Sequence, residues 1–171
     1  INVGSGSQGK DAESRMKIVN PMPTAVPSAG HRPLSRVLLV GLDGATFDVL
    51  DPLLEEGIMP HLKALIDGGV AGPLESTKPP ITPAAWTTFM TGKGPGRHGI
   101  IDFLRYDPAS HKLSLNNNLK IRQKTIWEIL TEKEYKVGSI NVPMTFPPVR
   151  VNGFMISGFD TPSGQDFTYP K

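Results

Sequence analysis

Apolar and polar positions along this chain fall into short runs whose period changes repeatedly, marking strands and helices in turn. Val37-Leu38-Leu39-Val40 is a continuous apolar run closed by Gly41-Leu42-Asp43-Gly44, the pattern of a strand buried on both faces of a parallel sheet. Asp43 falls at its carboxyl end. Phe47, Leu50, Leu53 and Leu54 then recur at helical spacing. Thr46 or Asp48 caps that helix, Pro52 either confines its start to near Asp51 or kinks it, and Gly57 ends it. A second helix is predicted from Pro60 to Asp67, with Leu62, Leu65 and Ile66 on one face and Gly68-Gly69 as the stop.

Val70 to Thr77 reads as a short strand broken by Lys78-Pro79-Pro80. The next helix opens with Thr82 at the N-cap and Pro83 at the first helical position, where proline has no N–H to lose and its φ is already helical. Gly92, Gly94, Pro95 and Gly96 end it in a loop that reaches Arg97 and His98. Ile100 to Tyr106 is extended, and Asp107-Pro108 and Asn116-Asn117-Asn118 mark turns. Ile126, Trp127, Ile129 and Leu130 form the apolar stripe of a helix over residues 124–133, followed by buried strands over 136–142 and 151–157 with a loop fixed by Pro143, Pro147 and Pro148 between them. There is no internal repeat. This alternation predicts an α/β fold, a doubly wound and mostly parallel sheet with helices on both faces, whose ligands collect at the carboxyl ends of the strands.

Composition narrows the chemistry. The chain has 171 residues and is 38% hydrophobic, and its 18 glycines and 17 prolines cluster between the periodic segments, so a single loop-rich domain can bury a core. A net charge of +2 gives no field for nucleic acid. With no cysteine, any transition metal must be held by His, Asp, Glu or a hydroxyl oxygen. No apolar run approaches the roughly 18 residues of a membrane span, so a soluble, cytoplasmic protein with no membrane partner is expected. Residues 1–35 carry Pro21, Pro23, Pro27 and Pro33 among small and polar residues, and are expected to form a flexible arm. The start at Ile1 and the linker-like Gly4-Ser5-Gly6-Ser7 point to a processed, truncated or engineered amino terminus. The folded part is expected over residues 36–171.

An acidic residue after the first strand and a hydroxyl residue at the start of a later helix converge on one edge of the expected sheet. Asp43 reads either as a turn residue or as a metal ligand, and Thr82 either as a cap or as a nucleophile. Together they make sense as half of a phosphoryl-transfer site. A threonine hydroxyl is a poor nucleophile until a cation sits on its oxygen, and a helix amino terminus favours negative charge on alkoxide and phosphate alike. Asp43 would hold that cation, and a second metal about 4 Å away would stabilise the leaving oxygen. The run Gly92-Lys93-Gly94-Pro95-Gly96 is no Walker loop, because its Lys is followed by Gly and the run closes a helix instead of opening one.

Leu39-Val40-Gly41-Leu42-Asp43-Gly44, then Pro80-Ile81-Thr82-Pro83, Thr91-Gly92, Pro95 and His98-Gly99-Ile100 resemble the type I phosphodiesterase and nucleotide pyrophosphatase branch of the alkaline phosphatase superfamily. Tyr106-Asp107-Pro108, Thr125-Ile126-Trp127 through Lys136-Val137-Gly138, and Asn141-Val142-Pro143 to Pro147-Pro148 extend the resemblance over residues 36–160, closest to microbial phosphohydrolases or phosphomutases. The resemblance implies a small-molecule phosphate ester as substrate and two divalent metal ions, zinc being usual. It makes Asp43 the first carboxylate ligand, and makes Thr82 the residue that is transiently phosphorylated while touching a metal. His98 is read as organising its loop.

Two departures shape the expectation. Nucleotide-cleaving members have an asparagine five residues after the matching His, where this chain has Phe103; Asp102 or Asn141 is the candidate substrate contact in its place. The family's downstream Asp-x-x-x-His and Asp-His ligand motifs do not occur here, and His31, His61 and His111 lie outside matched positions. The chain is therefore expected to supply the nucleophile half of a phosphoester hydrolase. The alternatives are phosphomutase-type transfer or a non-catalytic truncated fragment that associates with itself or with a missing carboxyl-terminal half.

Overall fold

The computed structural model describes residues 36–171, and the expected flexible arm lies outside the described residues. The chain divides into two compact units, the first ending at Glu75 and the second running from Ser76 to Lys171.

In the first unit the described elements are helices α1 (Phe47–Glu55) and α2 (Pro60–Asp67). Thr46 is the N-cap of α1 and its side chain accepts from the Asp48 N–H, satisfying one of the orphan donors of a helix start. Pro52 neither delays α1 nor ends it. Placed in the second turn, it removes one i→i−4 bond, and the helix continues because Pro52 still accepts the N–H of Glu56 through its own carbonyl at 2.9 Å. The α2 helix has the predicted bounds, with Pro60 opening it and the exposed Lys63–Asp67 pair bridging one turn at 3.0 Å.

The expected buried strand at Val37–Val40 is not formed. These residues join no sheet among the described residues, and Val37, Leu38, Leu39 and Val40 are 78%, 86%, 57% and 74% exposed. A continuous apolar run becomes a buried strand only when strands flank it and layers cover it, and the described part of this unit supplies neither. The strand expected over 70–77 reduces to a single bridge position at Glu75.

The second unit carries α3 (Thr82–Thr91), α4 (Pro95–His98), a hairpin of β1 (Leu104–Asp107) and β2 (Lys112–Leu115), a 3-10 turn at Asn118–Lys120, α5 (Ile126–Glu132), and strands β3 (Val137–Val142), β4 (Gly153–Ser157) and β5 (Thr168–Tyr169). β1 and β2 pair antiparallel with Leu104 opposite Leu115 and Tyr106 opposite Leu113. The other sheet has the order β3-β4-β5, parallel between β3 and β4 and antiparallel between β4 and β5. The α/β content matches the expectation, while the described sheets are small and the larger one is mixed.

Local chemistry explains these elements. Thr125 and Glu128 form a reciprocal capping box on α5, with Thr125 only 2% exposed; such a box is worth about 1 kcal/mol. The parallel step from β3 to β4 is made by the irregular loop 143–152, and Thr145 holds its start. The Thr145 hydroxyl donates to the Val142 carbonyl at 2.6 Å and accepts the Gly158 N–H at 3.0 Å, while Ser157 donates to the Thr145 carbonyl at 3.2 Å. The core gathers Met90, Ile100, Trp127, Val137, Met144, Val151 and Met155, with Ile126, Leu130 and Tyr169 packed against it. Methionine fits such irregular junctions because its unbranched side chain adapts to the gap.

Candidate active site

Thr82 is the first residue of α3, and the helix bond that opens α3 runs from the Ala85 N–H to the Ile81 carbonyl at 3.0 Å. The N-cap is therefore Ile81, in extended conformation at φ −120° and ψ 152°, and not Thr82 as the sequence pattern predicts. Thr-Pro is a common start at the cap and the first position, but here the chain turns helical one residue earlier, so Pro83 stands at the second position, where its missing N–H is still not needed. The cap position thus belongs to Ile81, which makes no side-chain cap bond, and Thr82 stands inside the first turn.

The helix itself is buried on most of its circumference. Pro83, Ala84, Ala85, Trp86, Thr87, Met90 and Thr91 are all buried, and Thr82 is half-buried at the end. A helix enclosed this far around is a rigid mount. Trp86 meets Phe89 edge-on with ring centroids 5.5 Å apart. Gly92 then closes α3 in the left-handed conformation at φ 63°, which glycine adopts without penalty.

His98 fixes the turn after α3. It is fully buried; its Nδ1 accepts the Ile100 N–H at 3.2 Å, and its Nε2 lies 3.0 Å from the Thr88 hydroxyl. Because a backbone N–H occupies Nδ1, the neutral ring carries its proton on Nε2 and donates it to Thr88. Protonating Nδ1 would set two donors against each other, and burial already pushes the His98 pKa below its usual 6.5. A depressed histidine pKa means that the unfolded chain binds the proton more readily, so this contribution to stability is present above about pH 6.5 and is lost as the pH falls through the folded-state value. The melting temperature is expected to fall between pH 7 and pH 5, less steeply in His98→Gln; equal slopes would show that His98 is not the sensor.

Asp43 lies in an exposed turn closed by Gly44 at φ 70°. It belongs to the first unit and Thr82 to the second, so neither unit contains both. Asp102 is exposed; its Oδ1 accepts the Phe103 N–H at 2.6 Å and its carbonyl accepts from the Asn116 side chain at 2.8 Å, which is the bonding of a turn residue. Among the described residues no three or more His, Asp or Glu side chains gather where they could share a cation. A catalytic zinc ion takes about three protein ligands, so the described residues do not by themselves fit the two-ion centre that the resemblance implies.

Asn141 sits elsewhere in the second unit. The β3–β4 register slips between Ile140 and Val142, leaving Asn141 as a bulge residue at φ 56°, a conformation that asparagine tolerates better than most side chains. It borders an open cleft of about 570 Å³ at the carboxyl ends of β3 and β4, together with Ser157, Phe159 and Phe167. Behind that cleft, Asp160 accepts the Met144 N–H at 3.3 Å, and burial raises its carboxyl pKa above the usual 3.8. The bulge, the short return strand β5 and the role of Asp160 had no period in the sequence to betray them; the run Pro162-Ser163-Gly164 at least signalled a loop.

Among the described residues no helix is long and apolar enough to cross a membrane. No curated protein and no solved structure matches the chain. A family model described as type I phosphodiesterase / nucleotide pyrophosphatase matches residues 37–168, a span that takes in Asp43, Thr82, Asp102 and Asn141. With a match that takes in parts of both units and about three quarters of the chain, this protein belongs to the type I phosphodiesterase / nucleotide pyrophosphatase family, part of the alkaline phosphatase superfamily.

Proposed function

We propose that the chain takes part in phosphoester hydrolysis, with the Thr82 hydroxyl as the nucleophile. The observation that carries this reading is the position of Thr82, half-buried as the first residue of a buried helix whose cap is a neighbouring isoleucine, in a chain of a phosphodiesterase and pyrophosphatase family. The amino end of α3 presents partial positive charge to whatever lies before it. That field favours both the ionised hydroxyl and a phosphoryl group. The Thr82 oxygen gives up its proton and adds to phosphorus as the bond to the leaving alcohol breaks, which takes up a proton. The phosphoryl group left on Thr82 still carries the second ester group of a diester, and water then releases it as a phosphate monoester and restores the hydroxyl.

Family members are typically metal-dependent, and in this reading the Asp43 carboxylate is one ligand of two divalent ions, zinc being the expected element. The complete ligand set is not assembled by the described residues. The doubly wound parallel sheet belongs to the same proposal, with β3 and β4 as its parallel pair. Asp102 and Asn141 are the proposed substrate contacts in place of the asparagine to which Phe103 corresponds, Asn141 on an uncharged part of the ester and not on its phosphoryl oxygens.

The direct test is chemical trapping. Acid quenching of the full chain during turnover of a bis-aryl phosphate diester, followed by peptide mass spectrometry, is expected to find an arylphosphoryl group on Thr82. Turnover with no arylphosphoryl group on Thr82 at any quench time would point to direct attack by water and defeat the proposal.

A further inference from the structure

The cleft at the ends of β3 and β4 has a lining that is unusual for a phosphoester site. Asn141, Ser163 and Gln165 contribute two neutral amides and a hydroxyl, the Thr161 hydroxyl donates to the Gly158 carbonyl at 2.8 Å and keeps only its acceptor side, and Phe159 and Phe167 are residues 64% and 51% exposed. No Lys, Arg, His, Asp or Glu is among the residues that line it. An anion would find no cation there, and a metal ion no carboxylate or imidazole. A purely apolar ligand would strip water from two amides and the Ser163 hydroxyl without replacing their hydrogen bonds.

We infer that this cleft binds an uncharged carbohydrate ring. Each sugar hydroxyl both donates and accepts, which matches amide and hydroxyl side chains that do the same. The ring's C–H faces supply apolar surface for phenylalanine, whose large rigid face is an efficient contact. The cleft's size, about 570 Å³, lies within the usual range of small-molecule sites. Its frame is already fixed. Thr145 ties β3 to the start of the Gly158 turn, and Asp160 holds the Met144 backbone, so the walls do not have to be assembled by the ligand. The bulge at Asn141 shifts the pleat at the end of β3, the device by which sheets re-aim a side chain next to a site. A planar heteroaromatic ring is the nearest competitor, but it offers hydrogen bonds only along its edge, whereas the polar groups here come from both the strand end and the loop 161–165.

The test is saturation-transfer NMR on the full chain with methyl pyranosides of glucose, galactose and mannose as probes and adenosine as the planar comparison. Saturation is expected to reach the ring protons of at least one pyranoside. Affinity is expected to fall about fivefold or more in Phe159→Ala, in Phe167→Ala and in Asn141→Gly. Asn141→Gly is chosen because glycine accepts φ 56° and so removes the amide while keeping the bulge. Thr82→Ala is expected to bind the same pyranoside as wild type, which separates this inference from the proposed chemistry. Transfer to adenosine alone, transfer to no pyranoside, or equal binding by wild type and all three cleft variants would each overturn it.

Discussion

Thr82→Ala is expected to lower hydrolysis of an aryl phosphate diester by about 10³-fold or more, whereas Thr82→Ser is expected to retain measurable turnover. The size of the effect follows from removing the attacking atom itself. Without it, only binding and the field of the helix end remain to assist water. The bland alternative, in which Thr82 merely starts a helix, predicts a different pattern. Alanine is the best helix former and the α3 cap is Ile81, so the substitution is expected to change stability by no more than about 1 kcal/mol. A loss of turnover with a preserved melting curve, rescued in part by serine, separates nucleophile from scaffold. Serine matters for a further reason: it keeps the hydroxyl but loses the methyl group that restricts its rotamer. Slower turnover, with the arylphosphoryl group still trapped at this position in the Thr82→Ser variant, is the expected signature. If alanine and serine variants hydrolyse the diester as fast as wild type, Thr82 has no chemical role.

What the sequence disclosed and what it hid divide along physical lines. Helices with a local signal were legible: Pro60 and Gly68 bound α2, and the stripe of Ile126, Trp127, Ile129 and Leu130 marks α5, while the Thr125–Glu128 capping box that starts it came only with the structure. The strands β3 and β4 were legible as apolar runs between proline loops. Val37–Val40 has an equally strong run, yet it is exposed, because a run states what a segment would bury and not whether a partner is there to bury it. The same limit applies at the site. Thr82 could be singled out by its place before Pro83, but the one-residue shift of the cap to Ile81 depends on backbone angles that no composition encodes. Asn141 was named as a possible substrate contact from a motif position; that it occupies a bulge beside a neutral cleft is a property of strand register between β3 and β4, which only the paired strands determine.

Gly153→Ala is expected to destabilise the second unit by about 3 kcal/mol or more, read as a shift in the urea unfolding midpoint. Gly153 begins β4 opposite Val137 in the parallel pair. A Cβ added there would lie 2.0 Å from the Val137 carbonyl oxygen and 3.0 Å from its carbonyl carbon. Those are backbone atoms of the neighbouring strand, so no rotamer change can relieve the overlap, and the two strands must part. Parting them lifts Val137, Val151 and Met155 out of the core they share and disturbs the strand ends that frame the cleft. Two other glycines isolate the cause. Gly92 has φ 63° and nothing within 4 Å of an added Cβ, so Gly92→Ala carries only the backbone penalty of about 1 kcal/mol. Gly94 has open space and no positive φ, so Gly94→Ala is expected to leave the midpoint nearly unchanged. The order Gly94, Gly92, Gly153 in rising cost follows from steric overlap added to conformational strain. A Gly153→Ala midpoint no worse than that of Gly92→Ala would mean that β3 and β4 are not held at the described separation, and the cleft at their ends would lose its frame with them.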